Sequence, residues 1–166
     1  MTNARELANL VGGTLTNLTS GTDNVALGDE ALEAVTSGAN NVGIGKDAGT
    51  AITTGDGNVA VGYQSLDANT TGASNVAIGW EAMTANTTAS SHTAVGRKAM
   101  HDNTTGANLV AVGHTALHNN STGAGNIAIG AEALFTNTTG TENTVVGYAS
   151  NYSSTGNNNT TIGHNS

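Results

Sequence analysis

Residues 72–88 read GASNVAIGWEAMTANTT, and variants of this 17-residue unit precede and follow it. With the leading glycine as position 1, units begin at Gly21, Gly38, Gly55, Gly72, Ala89, Gly106, Gly123 and Gly140, each 17 residues after the last. A partial ninth unit begins at Gly156, after an interval of 16. Self-similarity at one short period marks an architecture of stacked repeats. Position 8 is glycine in all nine units: Gly28, Gly45, Gly62, Gly79, Gly96, Gly113, Gly130, Gly147 and Gly163. Before it, position 5 (Val25, Val42, Val59, Val76, Thr93, Val110, Ile127, Thr144, Thr160) and position 7 (Leu27, Ile44, Val61, Ile78, Val95, Val112, Ile129, Val146, Ile162) share one face of a short strand. A run this short, β-branched and stopped by glycine, is a strand and not a helix. The position 8 glycine is expected to end it at positive φ, where glycine meets little steric cost. The unit closes on NTTG, which is turn chemistry.

A 17-residue unit cannot bury its own apolar face, but a stack of such units can. The chain is therefore read as all-β: a parallel β-solenoid of nine 17-residue coils over residues 21–166, preceded by a segment, residues 1–20. Columns 5 and 7 are expected to fill the interior, with Ala or Ser at position 11 and Leu32, Leu66, Met83, Met100, Leu117 and Leu134 at position 12. Two asparagine columns are expected to stack as hydrogen-bonded ladders. One is position 4 (Asn24, Asn41, Asn58, Asn75, Asn126, Asn143, Asn159); the other is position 15 (Asn69, Asn86, Asn103, Asn120, Asn137). Val35 and Ile52 replace the latter in the first two units and add to the core. With strands about 4.8 Å apart, nine coils make a rod on the order of 40 Å long. Position 6 is small throughout the middle of the rod, with Ala60, Ala77, Ala94, Ala111 and Ala128. If columns 5 and 7 point inward, this column points outward. A small apolar column in place of polar residues then suggests close packing on another copy around a symmetry axis.

Composition agrees with a thin rod and excludes other classes. Gly, Asn and Thr are abundant, aromatics are only 3% and hydrophobic residues reach 37%, so large side chains for a deep core are scarce. Cys and Pro are absent, which excludes a disulfide scaffold and collagen. No apolar run of about 18 residues and no secretory leader is visible, so no membrane insertion is expected. A net charge of −8 argues against nucleic acid, which needs clustered cations.

No catalytic motif is present, and no enzyme activity, cofactor or metal is expected. His101 and His118 share column 13 one coil apart, yet two histidines make a weak metal site. The position 10 acids Glu30, Asp47, Glu81 and Glu132 read as a solvated face, since a thin rod offers no cleft for an acid–base pair. Position 9 holds most of the large side chains. Tyr63, Trp80, Arg97, His114 and Tyr148 are candidates for receptor binding, because exposed aromatics beside Arg suit sugars or protein surfaces. The same column also suits packing between chains. Thr pairs at positions 16 and 17, such as Thr70/Thr71 and Thr104/Thr105, open an ice-binding reading.

At the start, Asn3 and Glu6 suit a capping box before Leu7, Leu10 and Val11, a candidate docking segment; Leu15, Leu18 and Thr19 suggest a degenerate first coil. Near the end, Tyr152 is expected to take the place of a missing Leu, and the Asn- and Thr-rich last coil suits a polar cap.

The NVAIG strand motif resembles the head repeats of trimeric autotransporter adhesins, which form left-handed parallel β-rolls in a homotrimer. The longer pattern of residues 75–88, with the opening ARELANL, more closely resembles bacteriophage tail-fibre proteins. The resemblance implies a homotrimeric, non-enzymatic virion fibre, shaft or host adhesin. It would be anchored to other virion tail proteins through its N-terminus and displayed outside the cell, with a host surface glycan or protein as a further partner. The alternatives are a bacterial surface adhesin head and an ice-binding solenoid.

Overall fold

The computed structural model describes residues 21–153 and 155–166. The docking segment and degenerate coil expected in residues 1–20 lie outside the described residues. Nine strands of three residues follow one another: β1 (Val25–Leu27), β2 (Val42–Ile44), β3 (Val59–Val61), β4 (Val76–Ile78), β5 (Thr93–Val95), β6 (Val110–Val112), β7 (Ile127–Ile129), β8 (Thr144–Val146) and β9 (Thr160–Ile162). They form one parallel sheet in sequence order. Register follows the repeat, with Val59 facing Val76 and Val76 facing Thr93, and it survives the short unit, where Val145 faces Thr161. The chain is a β-solenoid.

Hydrogen bonding between coils does not stop at the strands. The position 10 N–H donates to the position 9 carbonyl of the preceding coil, as from Glu81 to Tyr63 at 2.9 Å. The position 12 N–H donates to the position 11 carbonyl of the following coil, as from Met83 to Ala99 at 3.0 Å. Each coil thereby uses its neighbours to satisfy backbone groups that a free 17-residue loop would leave to water.

The two faces of the strand are the reverse of the sequence expectation. Column 6 is inside: Ala60, Ala77, Ala94, Ala111 and Ala128 are each 0% exposed within the single chain. Columns 5 and 7 point outward, and Val25 is 51% exposed. The alanines are therefore core residues of one chain and cannot form the contact between copies. The physical reason is the thinness of the coil. A Cβ added at Gly43 of column 6 would come within 2.7 Å of Leu32 Cγ and 3.0 Å of the Ala48 carbonyl oxygen. At this coil the opposite wall, made of columns 11 and 12, leaves no room even for a methyl; in the middle of the rod column 6 is alanine, and near the end it admits Val145, also fully buried.

That opposite wall is buried as expected, with Ala82, Leu66, Met83, Met100, Leu117 and Leu134 each 0% exposed. Its backbone was not expected. Leu66, Met83 and Leu134 stand at φ 53, 57 and 52, in the left-handed region that bulky residues avoid. Position 10 repeats this, with Glu81 at φ 53, and position 3 repeats it with Asn40 at φ 59. These tight corners let 17 residues close a full circuit. Burial of Leu or Met, at about 1.5–3 kcal/mol each, offsets a left-handed cost of about 1–2 kcal/mol.

Both asparagine ladders are present. In column 4, Asn58 Nδ2 donates to the Gly72 carbonyl at 2.9 Å, and Asn58 Oδ1 accepts the Asn75 N–H at 3.1 Å. In column 15, Asn69 Nδ2 donates to the same Gly72 carbonyl at 2.9 Å, and Asn86 Nδ2 donates to Asn69 Oδ1 at 3.1 Å. Val35 and Ile52 are buried in the core. Tyr152 does not replace the missing Leu. It is exposed and continues column 13 by stacking on Phe135, ring centroids 4.9 Å apart, while Asn151 takes position 12.

Candidate functional site

Register turns each surface column into a vertical stack, so side chains 17 residues apart become neighbours. Column 9 shows this most fully. Lys46 Nζ meets Asp29 at 2.9 Å, and that carboxylate, through its hydrogen bond and charge, holds the exposed ammonium up at about 12. Tyr63 and Trp80 stack with centroids 6.4 Å apart. The Arg97 guanidinium lies over the Trp80 ring at 4.6 Å, and Arg97 also reaches His114 Nε2 at 3.0 Å. Tyr148 stacks on His164 at 5.1 Å, and Ala131 separates it from the Trp80 group. Of the five receptor-binding candidates, the structure joins Tyr63, Trp80, Arg97 and His114 and leaves Tyr148 apart. Trp80 has Tyr63 on the coil before it and Arg97 on the coil after it. The Arg97 guanidinium and the Lys98 ammonium lie over its ring, and Trp80 stays 39% exposed.

The glycines of position 8 all take positive φ, from 125 at Gly45 to 147 at Gly163. A Cβ at Gly79 would fall on the Gly96 carbonyl of the next coil. The glycines thus bring successive corners close enough for the column 9 side chains to stack.

Column 13 is a second stack, one the sequence reading noted only at its two histidines. His101, His118, Phe135 and Tyr152 form a run of near-parallel rings with centroids 5.0, 5.1 and 4.9 Å apart. His101 Nδ1 meets Asp102 at 2.5 Å, and the other oxygen of Asp102 is 3.7 Å from His118 Nδ1. The histidine rings are only 6° from parallel with centroids 5.0 Å apart, so no point within bonding distance of both rings lies in both planes, as in-plane coordination of one ion by both would require. Further down the column Asp67 is half-buried, and loss of water raises its carboxyl above the usual range.

The threonines of column 16 hold the wall together. Thr53 Oγ1 donates to the Thr70 carbonyl at 3.0 Å, Thr70 to Thr87 at 3.1 Å and Thr104 to Ser121 at 3.0 Å. Each spends its single hydroxyl proton on the next coil, so these column 16 hydroxyls do not donate outward. The position 15 asparagines of the NTT turns are 0% exposed, so the folded rod withholds those side chains from modification.

The outward face of the strands is a further feature of the surface. Columns 5 and 7 make a continuous outward strip of Val, Ile, Leu and Thr along β1 to β9, bearing no charged residue. Eight strand spacings of about 4.8 Å give it a length of about 40 Å. Two columns give a width of about 10 Å and an area on the order of 400 Å², comparable to the largest apolar patch of a typical monomer, which is often functional. Comparison with known proteins adds no relative: no family model, curated protein or solved structure matches the chain.

Proposed function

We propose that this chain is a non-enzymatic fibre module that assembles as a homotrimer through its Val/Ile strip and serves as the shaft or adhesin of a bacteriophage tail fibre. The observation that carries this reading is the uncharged strip along the full rod. Strips of about 400 Å² paired in a dimer bury about 800 Å² in total, the size of a weak contact. Three strips around an axis bury about 1,200 Å² in total and about 400 Å² in each pairwise contact, so area does not select three copies over two; a face two columns wide fits one side of a triangular core, and the resemblance to homotrimeric β-rolls supports the trimer. The resemblance of the 75–88 pattern to phage fibre repeats supports the biological setting. Residues 1–20 are then the docking end toward other virion proteins, and the column 9 stack is the candidate contact with a host surface.

Sedimentation at micromolar concentration tests the assembly. The expected mass is three times the 16.4 kDa chain. Val76→Lys with Val110→Lys places charges on the outward strip, and the expected product is a monomer that keeps its β signal in circular dichroism. Ala77→Lys, buried under the strand, is expected to unfold the coil instead. A monomeric parent chain, or a double-lysine variant that stays trimeric, overturns the proposal.

A further inference from the structure

Column 4 is interrupted in the middle of the rod. Coils that carry Asn there repeat one arrangement, in which the side-chain oxygen accepts the position 4 N–H of the next coil. Asn41 accepts from Asn58 at 2.9 Å, and Asn75 accepts from the next residue of the column, His92, at 3.1 Å. His92 replaces Asn and is 1% exposed. Its Nδ1 does the work of the asparagine oxygen by accepting the Leu109 N–H at 3.3 Å. Leu109 then breaks the ladder, since its side chain has no acceptor, and Asn126 resumes the column one coil later.

An imidazole nitrogen accepts only through its lone pair. Nδ1 is therefore unprotonated and the ring proton sits on Nε2. His92 Nε2 is buried and has no hydrogen-bond partner among the described residues; neither has Asn86 Oδ1 of column 15. The same six-residue spacing recurs in coils 6 and 7, where Asn126 Nδ2 approaches Asn120 Oδ1 at 3.5 Å. At His92 and Asn86 no such bond forms. The residues tied to His92 by hydrogen bonds, Asn75 and Leu109, and its sequence neighbours Ser91 and Thr93 are uncharged, and burial is the sole cause of the shift in its imidazole. No carboxylate is placed to stabilise an imidazolium.

We propose that His92 is an acid-sensitive joint, at which protonation of Nδ1 removes the ladder's acceptor, puts an uncompensated cation inside the rod and loosens the stack between β4 and β6. Burial lowers the imidazole to about 4 in the folded rod, below the ordinary value near 6.5. The unfolded chain thus binds the proton more readily than the folded one. The stability that His92 contributes is complete above about pH 6.5 and is lost progressively as the pH falls toward 4.

The test compares the full chain with His92→Asn, which places the column's own residue at the gap. Both keep His101, His114, His118 and His164, so the titration of those residues cancels in the comparison. Urea unfolding is followed from pH 7.5 to 4.5 at one protein concentration, with proton NMR reporting the His92 ring and the Leu109 amide. The parent folding constant is expected to fall on the order of 100-fold more than that of His92→Asn. The Leu109 amide is expected to lose protection first, and the ring to resist protonation above pH 5. Equal pH dependence in the two proteins, or a His92 ring titrating near 6.5 in the folded state, overturns the proposal.

Discussion

Gly57 and Gly79 both stand at positive φ, but for different reasons. Gly57 has φ 66, and a Cβ there would meet only Ser74 Oγ at 3.9 Å. The same column holds Asn40 at φ 59 and Ser74 at φ 59, so the position demands a left-handed backbone and not an absent side chain. Gly79 has φ 140, outside what L-residues adopt, and an added Cβ would strike the Gly96 carbonyl. Gly57→Asn is therefore expected to be neutral or to raise stability by about 0.5 kcal/mol, by narrowing the freedom of the unfolded chain. Gly79→Ala is expected to cost about 2–4 kcal/mol, as backbone strain and a displaced neighbour add. Thermal melts of the two variants against the parent check this, and similar melting points would show that the corner tolerates a side chain. Gly72, at position 1, is a third case. A Cβ there would press on the Ala89 carbonyl and on Asn69 Oδ1, so position 1 is also tightly packed.

At the scale of the coil wall, the asparagine ladders do what apolar packing does in a thicker protein: they join one unit to the next. Their rungs are unequal. Asn58 gives its amide to Asn41 Oδ1 and the Gly72 carbonyl and accepts from the Asn75 N–H, so Asn58→Ala leaves that buried N–H unpaired and opens a cavity. Asn86 donates to Asn69 and Ala89, but its oxygen has no partner. Asn58→Ala is expected to cost about 2–4 kcal/mol and Asn86→Ala clearly less, as chemical denaturation would show; the opposite order would mean that the ladder oxygens contribute little. The ladders, the strand positions and the turn glycines were legible in the sequence because each is a one-residue column with one chemical demand. The direction of the strand faces was not. Alternation shows that Val76 and Ile78 share a side and Ala77 takes the other, but not which side has room. That depends on the distance to the opposite wall, where Leu32 and Ala48 crowd even a methyl at Gly43. The left-handed corners at Met83 and Leu134 were hidden for a related reason, since neither residue type favours that backbone and only closure of the circuit imposes it. Of the column 9 candidates, register gave the stack of Tyr63, Trp80 and Arg97; it did not reveal that cations would lie over the indole.

Over the whole molecule, each coil touches the one before it and the one after it, so length is a matter of counting units. The structure already contains one length change. The interval from Gly140 to Gly156 is one residue short, yet Val145 still faces Thr161, because the loss falls in the loop after Tyr152 and not in the strand or its glycine corner. Removing residues 55–71 takes out one unit and joins Thr54 to Gly72. Asn75 would then stack on Asn41, Val76 would pair with Val42, and the outward strip would stay continuous. This variant is expected to fold with the parent's circular dichroism per residue and a modestly lower melting temperature, and to be shorter by about 4.8 Å. Removing residues 55–63 deletes a strand and its corner glycine while keeping the second half of the unit. Coil 2 would then meet a wall without a sheet, with column 4 broken and the alanine floor missing. Loss of cooperative unfolding is expected. Melting curves and small-angle scattering on the two deletions decide the matter: if the 17-residue deletion unfolds, or the 9-residue deletion folds equally well, the coils are not interchangeable units and the rod is held by something other than contact between neighbours.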